Sequence, residues 1–149
     1  MSYSVMMKSN TEESLGTVLE LFISKKSTKK ILIDLNGIIN DKFYAININR
    51  SVLISSIYSY QLANKKDINL SFGELGENIL IDYNPYQLQT GTQLKIGETL
   101  LEISQPCTLC KSLTKIDNKL PKLLKDDRGI FAKVIKGGSI YLNDKIYIV

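Results

Sequence analysis

Short apolar runs, each closed by turn-forming residues, recur at close spacing along the whole chain, and that spacing constrains the fold more than any other feature. Residues 16–23 alternate and carry β-branched or aromatic side chains, and residues 30–33 continue the pattern up to a turn at residues 34–37. Further strands are expected at 50–54, 78–81, 93–96, 99–103, 130–135, 139–142 and 145–149. Gly97-Glu98 reads as a two-residue hairpin with Gly supplying positive φ at its first position. Gly137-Gly138 reads as a second hairpin, and Asn143-Asp144 as the last turn, because Asn tolerates positive φ. Helical signals are fewer. One lies at 56–63 behind a cap at Ser55 or Ser56, and one at 120–125 has Pro121 in its first turn and Leu120, Leu123 and Leu124 on one face. Short strands so closely spaced predict a barrel or sandwich. At 149 residues the chain is expected to form one domain, residues 1–149, large enough to build a core without staples.

No run approaches the ~18 apolar residues of a membrane-spanning helix. The first ten residues lack a continuous signal core, so a cytoplasmic location with no membrane partner is expected. Nineteen Lys and Arg against 15 Asp and Glu give a net charge of +4. The Lys clusters at 25–30 and 119–125 carry no interleaved aromatic residues, so they predict a solvated surface, not a nucleic-acid platform.

Histidine is absent from the chain. That excludes Ser-His-Asp and Cys-His catalysis within it, and His-containing zinc sites. Chemistry must come from Cys, Lys, Arg, Tyr, carboxylates or a bound cofactor. Only two arginines occur, Arg50 and Arg128, among 17 lysines. Bidentate recognition of phosphate or carboxylate is where Arg does not exchange with Lys, so both are candidate anion contacts, with Lys42, Lys111 and Lys133 weaker ones.

Both cysteines sit in Gln105-Pro106-Cys107-Thr108-Leu109-Cys110-Lys111, after the strand expected at 99–103. The spacing fits a redox, metal or nucleophilic pair, or two inert small hydrophobes. If Thr108 caps a helix, Cys110 lies in its first turn, where free N–H groups, the helix dipole and Lys111 favour a thiolate. A thioredoxin-like centre needs a βαβ context that the strand-rich pattern does not supply.

The stretch Gly73-Glu74-Leu75-Gly76-Glu77-Asn78 resembles the Gly-Glu-Asn signature of the MOSC domain, the C-terminal domain of eukaryotic molybdenum-cofactor sulfurases, also found as small stand-alone bacterial proteins. Residues 37–42 are similar to the family's upstream Gly-Asp-Lys/Arg segment, and Asn49-Arg50-Ser51-Val52 to the Arg that opens a strand. Residues 91–97 followed by 101–110 resemble its hairpin leading into the cysteine motif, and residues 128–138 with Asn143-Asp144 its closing hairpin. These pieces follow the family's order across almost the whole chain.

The resemblance implies a mainly β, MOSC-type β-barrel with a few short connecting helices. It implies binding of the molybdenum cofactor (molybdopterin), with Cys110 as catalytic residue and molybdenum ligand and Cys107 in support. Arg50, Arg128, Lys42 and Lys111 would offer charge to the pterin phosphate. Gly76, Glu77 and Asn78 are further cofactor-binding candidates; Gly73 and Gly76 serve turn geometry or expose N–H groups to phosphate, and Glu77 and Asn78 either hold the turn or touch the ligand. With metal bound, the chain would be a small reductase of N-hydroxylated compounds, served by an electron-donor protein. The alternatives are a sulfur carrier that takes a Cys110 persulfide from a pyridoxal-phosphate-dependent desulfurase, and a binding module without chemistry. The family's upstream segment usually ends in His; here Phe43 and Tyr44 follow Lys42, so a role for that His is absent or passed to Tyr44.

Overall fold

The computed structural model describes residues 13–108 and 111–149. Its first strand, β1 (Gly16–Ile23), spans the first apolar run, and a tight turn returns it into β2 (Lys26–Thr28). A small sheet follows from β3 (Lys30–Asp34) and β4 (Gly37–Ile38). A 3₁₀ turn, Ile48–Arg50, leads into β5 (Val52–Ser56), whose residues are all buried. Ser56 then caps α1 (Ile57–Lys65) by accepting from the Tyr58 amide, as the sequence predicts. The remaining elements are β6 (Ile79–Ile81), β7 (Gln93–Ile96), β8 (Thr99–Pro106), α2 (Lys111–Ile116), α3 (Leu120–Leu123), β9 (Ile130–Lys136), β10 (Gly138–Tyr141) and β11 (Lys145–Ile148).

Seven strands close on themselves in the order β11, β7, β8, β9, β5, β6, β1, with β11 pairing back to β1. The result is a closed β-barrel, with β2 appended to β1 and, among the described residues, three short helices outside it. Closure removes the exposed sheet edges that an open sheet of short strands would present. Inward-facing Val18, Leu21, Ile54, Ile79, Ile81, Leu94, Ile96, Leu101, Ile103 and Ile146 fill the interior. Each such side chain contributes roughly 1.5–3 kcal/mol by leaving water. A second apolar cluster of Tyr60, Ala63, Leu75, Leu80, Leu113, Leu120 and Leu124 packs the helices against β6.

Two local expectations change. The strand pair around Gly137-Gly138 is not a hairpin: β9 pairs with β8 and β5, whereas β10 leaves the barrel and pairs with β3. A Cβ on Gly137 would run into the carbonyl oxygen of Ile33, so this glycine permits a close crossing between sheets in place of a tight return. A βαβ unit does occur, since β5 and β6 are parallel and α1 lies in their connection, but the cysteines are not on it. The helix expected from Thr108 is described from Lys111 to Ile116, and residues 109–110, where its first turn is expected, lie outside the described residues. The Cys107 amide still pairs with the Gly129 carbonyl at 2.9 Å, so extended pairing continues one residue beyond β8.

Candidate functional site

A cleft of about 370 Å³ gathers side chains from six separate parts of the chain: the β1–β2 turn, the loop after β4, the approach and start of β5, the loop before β6, the start of α2, and the segment around the start of β9. Arg50, Arg128, Lys42, Gly76 and Asn78, five of the candidate cofactor contacts, all line it. Its size falls within the range of small-molecule sites.

Arg50 is oriented from two directions. Its guanidinium lies over the Phe131 ring with 5.4 Å to the ring centre, and with the Gln105 amide turned to complete its hydrogen bonds, Nε and Nη2 donate to Gln105 Oε1 at 3.1 and 3.3 Å. The cause is a register shift between β8 and β9 at Ile103/Gln105. Such irregularities re-aim side chains, and here Ser104 Oγ donates to the Asn49 carbonyl while the next residue takes Arg50.

Arg128 is buried, with 6% exposure, yet meets no carboxylate at ion-pair distance among the described residues. Nη1 donates to Cys107 Sγ at 2.8 Å and Nη2 to Ser112 Oγ at 3.3 Å. Ser55 Oγ donates to the Arg128 carbonyl at 3.2 Å, fixing its backbone against β5. Both arginines are thus held by groups that leave their charge available.

The loop after β4 is shaped by Asp41. Its carboxylate accepts from the Ser24 amide at 2.7 Å, the Phe43 amide at 3.1 Å and Asn78 Nδ2 at 3.2 Å. Ser24 and Lys25 both adopt left-handed backbone, at φ 48° and 69°, as a two-residue hairpin turn of primed type requires. Two side chains the sequence analysis passed over, Asp41 and Ser24, therefore tie that turn to the cleft wall. Asn40 takes φ 75°, a left-handed conformation that Asn tolerates. Lys42 stands over the exposed Phe43 ring, 5.1 Å from Nζ to the centre.

Tyr44 does not line the cleft; its hydroxyl donates to Asp34 Oδ2 at 2.5 Å, and that bond holds its proton, pushing its pKa above the ordinary tyrosine value. Phe43 occupies the cleft at that point. The cleft offers no His-like proton carrier there, only an apolar ring.

The Gly-Glu-Asn loop also departs from expectation. Gly73 and Gly76 need their positive φ of 93° and 85°, but the Gly76 amide donates to Gly73 O at 2.9 Å and the Gly73 amide to Tyr60 Oη and Glu77 Oε2. Those N–H groups are committed within the turn and do not cradle a phosphate, so the cleft's anion-attracting groups are guanidinium and ammonium side chains. Asn78 Oδ1 accepts from the Leu53 amide at 3.0 Å, and Nδ2 donates to Phe22 O and Asp41. Its amide cross-links β1, β5 and the Asp41 loop behind the cleft surface. Glu77 lies farther back, 1% exposed, and its Oε2 accepts from Tyr60 Oη at 2.5 Å. Burial raises the Glu77 carboxyl above its usual range and, with the carboxylate beside it, raises the Tyr60 hydroxyl too.

Cys107 is buried behind Arg128 in contact with Leu53 and Phe131. Cys110 lies outside the described residues. Lys111 opens α2, with its side chain outside the description, and Ser112, two residues beyond Cys110, lines the cleft. Lys133 is engaged with Glu102 at 3.4 Å and does not line the cleft.

The family model for the MOSC domain matches residues 41–147, which include every part of this cleft except the β1–β2 turn. The chain belongs to the MOSC domain family. Solved structures share the fold of this MOSC domain. The YUAD protein from Bacillus subtilis superposes with a TM-score of 0.77 at 17% identity, covering 92% of this chain and 97% of that one. YiiM from Escherichia coli gives 0.72 at 16% identity, covering 90% and 69%. YiiM from Geobacillus stearothermophilus gives 0.68 at 14%, covering 91% and 73%. No curated protein matches the sequence. Among the described residues no helix is long and apolar enough to cross a membrane.

Proposed function

We propose that this MOSC domain binds the molybdenum cofactor in the cleft, with Cys110 as the thiolate ligand of the metal and Arg50, Arg128 and Lys42 facing the pterin phosphate. The observation that carries the reading is the convergence of both arginines of a lysine-rich chain on one cleft, neither paired with a carboxylate among the described residues. A buried guanidinium with no carboxylate at ion-pair distance among the described residues suits a dianionic phosphate, which accepts several charge-assisted hydrogen bonds at once. When bound, the group supplies a two-electron redox centre, and the reaction class is reduction of an N-hydroxylated compound with electrons from a donor protein.

The chain's own residues have distinct parts in this. Arg50, braced by Gln105 and Phe131, and Arg128, braced by Cys107 and Ser112, orient the anionic end. Phe43, Ile46, Leu53 and Leu75 give the cleft apolar walls that exclude water from the reacting end. A thiolate at Cys110 serves as a soft metal ligand. The sulfur-carrier alternative uses the same thiol and a pyridoxal-phosphate-dependent desulfurase, but gives no role to two arginines held ready for an anion.

The test is purification after growth with molybdate, with metal and pterin measured per chain. Near-stoichiometric molybdenum that is lost in Cys110→Ser, and pterin that is lost in Arg128→Gln, support the reading. Protein free of molybdenum that acquires a persulfide on Cys110 from a desulfurase overturns it in favour of sulfur carriage.

A further inference from the structure

Among the described residues, two buried side-chain atoms lack a hydrogen-bond partner: Glu77 Oε1 and Arg128 Nε. One is an acceptor on a carboxyl group and the other a donor on a guanidinium, opposite charges that stand beyond ion-pair distance in the same buried region. Leaving either unsatisfied is costly, and more so for a charged group. Consecutive residues of α1 hold the two segments side by side. Ser59 Oγ donates to the carbonyl of Asp127, the residue before Arg128, and Tyr60 Oη donates to Glu77. Glu77 is also fixed from its own loop by the Gly73 amide at 3.1 Å.

We propose that Glu77 is a positioning residue for Arg128: a buried counter-charge, locked by Tyr60 and Gly73 and set back from the guanidinium beyond ion-pair distance, that sets how much of its charge an anion in the cleft feels. The effect on an anion rests on the cleft reading above; the coupling between the two side chains does not.

The titratable and charged groups facing Glu77 are Tyr60 from α1, Tyr86 from the loop after β6, and Arg128 from the segment before β9. Burial pushes the Tyr86 hydroxyl up to about 12, and Tyr60 is raised as well, so neither phenol ionises near neutrality. Around Arg128 stand Cys107, Ser112 and Glu77. The chain has no histidine, so a carboxyl displaced upward by burial is the group suited to an acid-side response in this site. When Glu77 takes a proton, Arg128 loses its internal counter-charge and attracts an anion more strongly.

Two arginines make the experiment direct. With ¹⁵N-labelled arginine, the full chain gives two Nε–Hε signals, followed from pH 8 to pH 5. The Arg128 signal is expected to move with a midpoint above the ordinary carboxyl range, while Arg50 stays still. In Glu77→Gln the movement should vanish, and in Cys107→Ala it should persist. In Tyr60→Phe, which removes a hydrogen bond that favours the charged carboxylate, the midpoint should rise; this variant keeps the test open if Glu77→Gln fails to fold. An Arg128 signal that is still in the wild type, or that moves equally in Glu77→Gln, overturns the proposal. Sulfate, a dianion over this whole range, gives the second readout. Its affinity should tighten about tenfold on acidification in the wild type and be tight and pH-independent in Glu77→Gln. If sulfate fails to bind while Arg128 titrates with Glu77, the cleft reading falls and the coupling stands. If sulfate binds with the same pH profile in both proteins, the coupling falls and the cleft reading stands.

Discussion

Arg128 reaches the sulfur of Cys107 at 2.8 Å, so the first cysteine of the pair acts as a brace for the cleft's buried guanidinium. Cys107 sits against Leu53 and Phe131 with its sulfur used as an acceptor.

Cys107→Ala should accordingly destabilise the fold by about 1–3 kcal/mol, because it leaves a buried guanidinium N–H without its acceptor and opens a small void. Cys107→Ser, which keeps an acceptor, should lose less. Urea unfolding of the three proteins checks the order. Equal stabilities would mean that the Arg128 contact to sulfur is energetically idle.

Gln105→Leu should behave in the opposite way. Gln105 is part-buried, and its contribution is the orientation of Arg50 over Phe131. Stability should change by no more than about 1 kcal/mol, while affinity for sulfate or phosphate falls by about tenfold, since an arginine free to rotate pays more entropy on binding. Titration calorimetry and unfolding on the same samples separate the two effects.

Asp41→Ala removes three hydrogen bonds at once and should cost about 2–4 kcal/mol, as bonds to a charged acceptor are the stronger kind. The left-handed turn at Ser24 and Lys25 depends on the bond to the Ser24 amide, so hydrogen exchange there should accelerate beyond the global change. Uniform acceleration across the barrel would show that Asp41 stabilises only globally.

The barrel was legible because its strands are short, β-branched and alternating, and residues 16–23, 93–96 and 99–103 needed nothing more than their own pattern. The arginines were legible through scarcity. What the sequence hid was close approach and hydrogen-bond commitment. Nothing local distinguishes a Gly137 that turns a hairpin from one that lets β10 cross to β3, and nothing local shows that the Gly73 and Gly76 amides are already engaged. Asp41 and Gln105 were missed as site residues because each acts through a partner distant in sequence: Asp41 on Ser24 and Asn78, Gln105 on Arg50.

The final prediction concerns stability and pH. Burial raises the Glu77 carboxyl in the folded chain, whereas in the unfolded chain it titrates near the ordinary 4.5. Between those two values the folded state binds the extra proton, so the contribution of Glu77 to stability is greatest below the ordinary value and is lost as pH rises through the displaced one. Most other carboxyls titrate alike in wild type and Glu77→Gln and cancel in the difference. The wild type should therefore gain stability relative to Glu77→Gln as pH falls from 7 toward 5, measured by urea unfolding at each pH. A difference that is flat, or that grows with rising pH, would show that the folded protein holds Glu77 ionised without penalty, with Arg128 and the Tyr60 hydrogen bond outweighing burial.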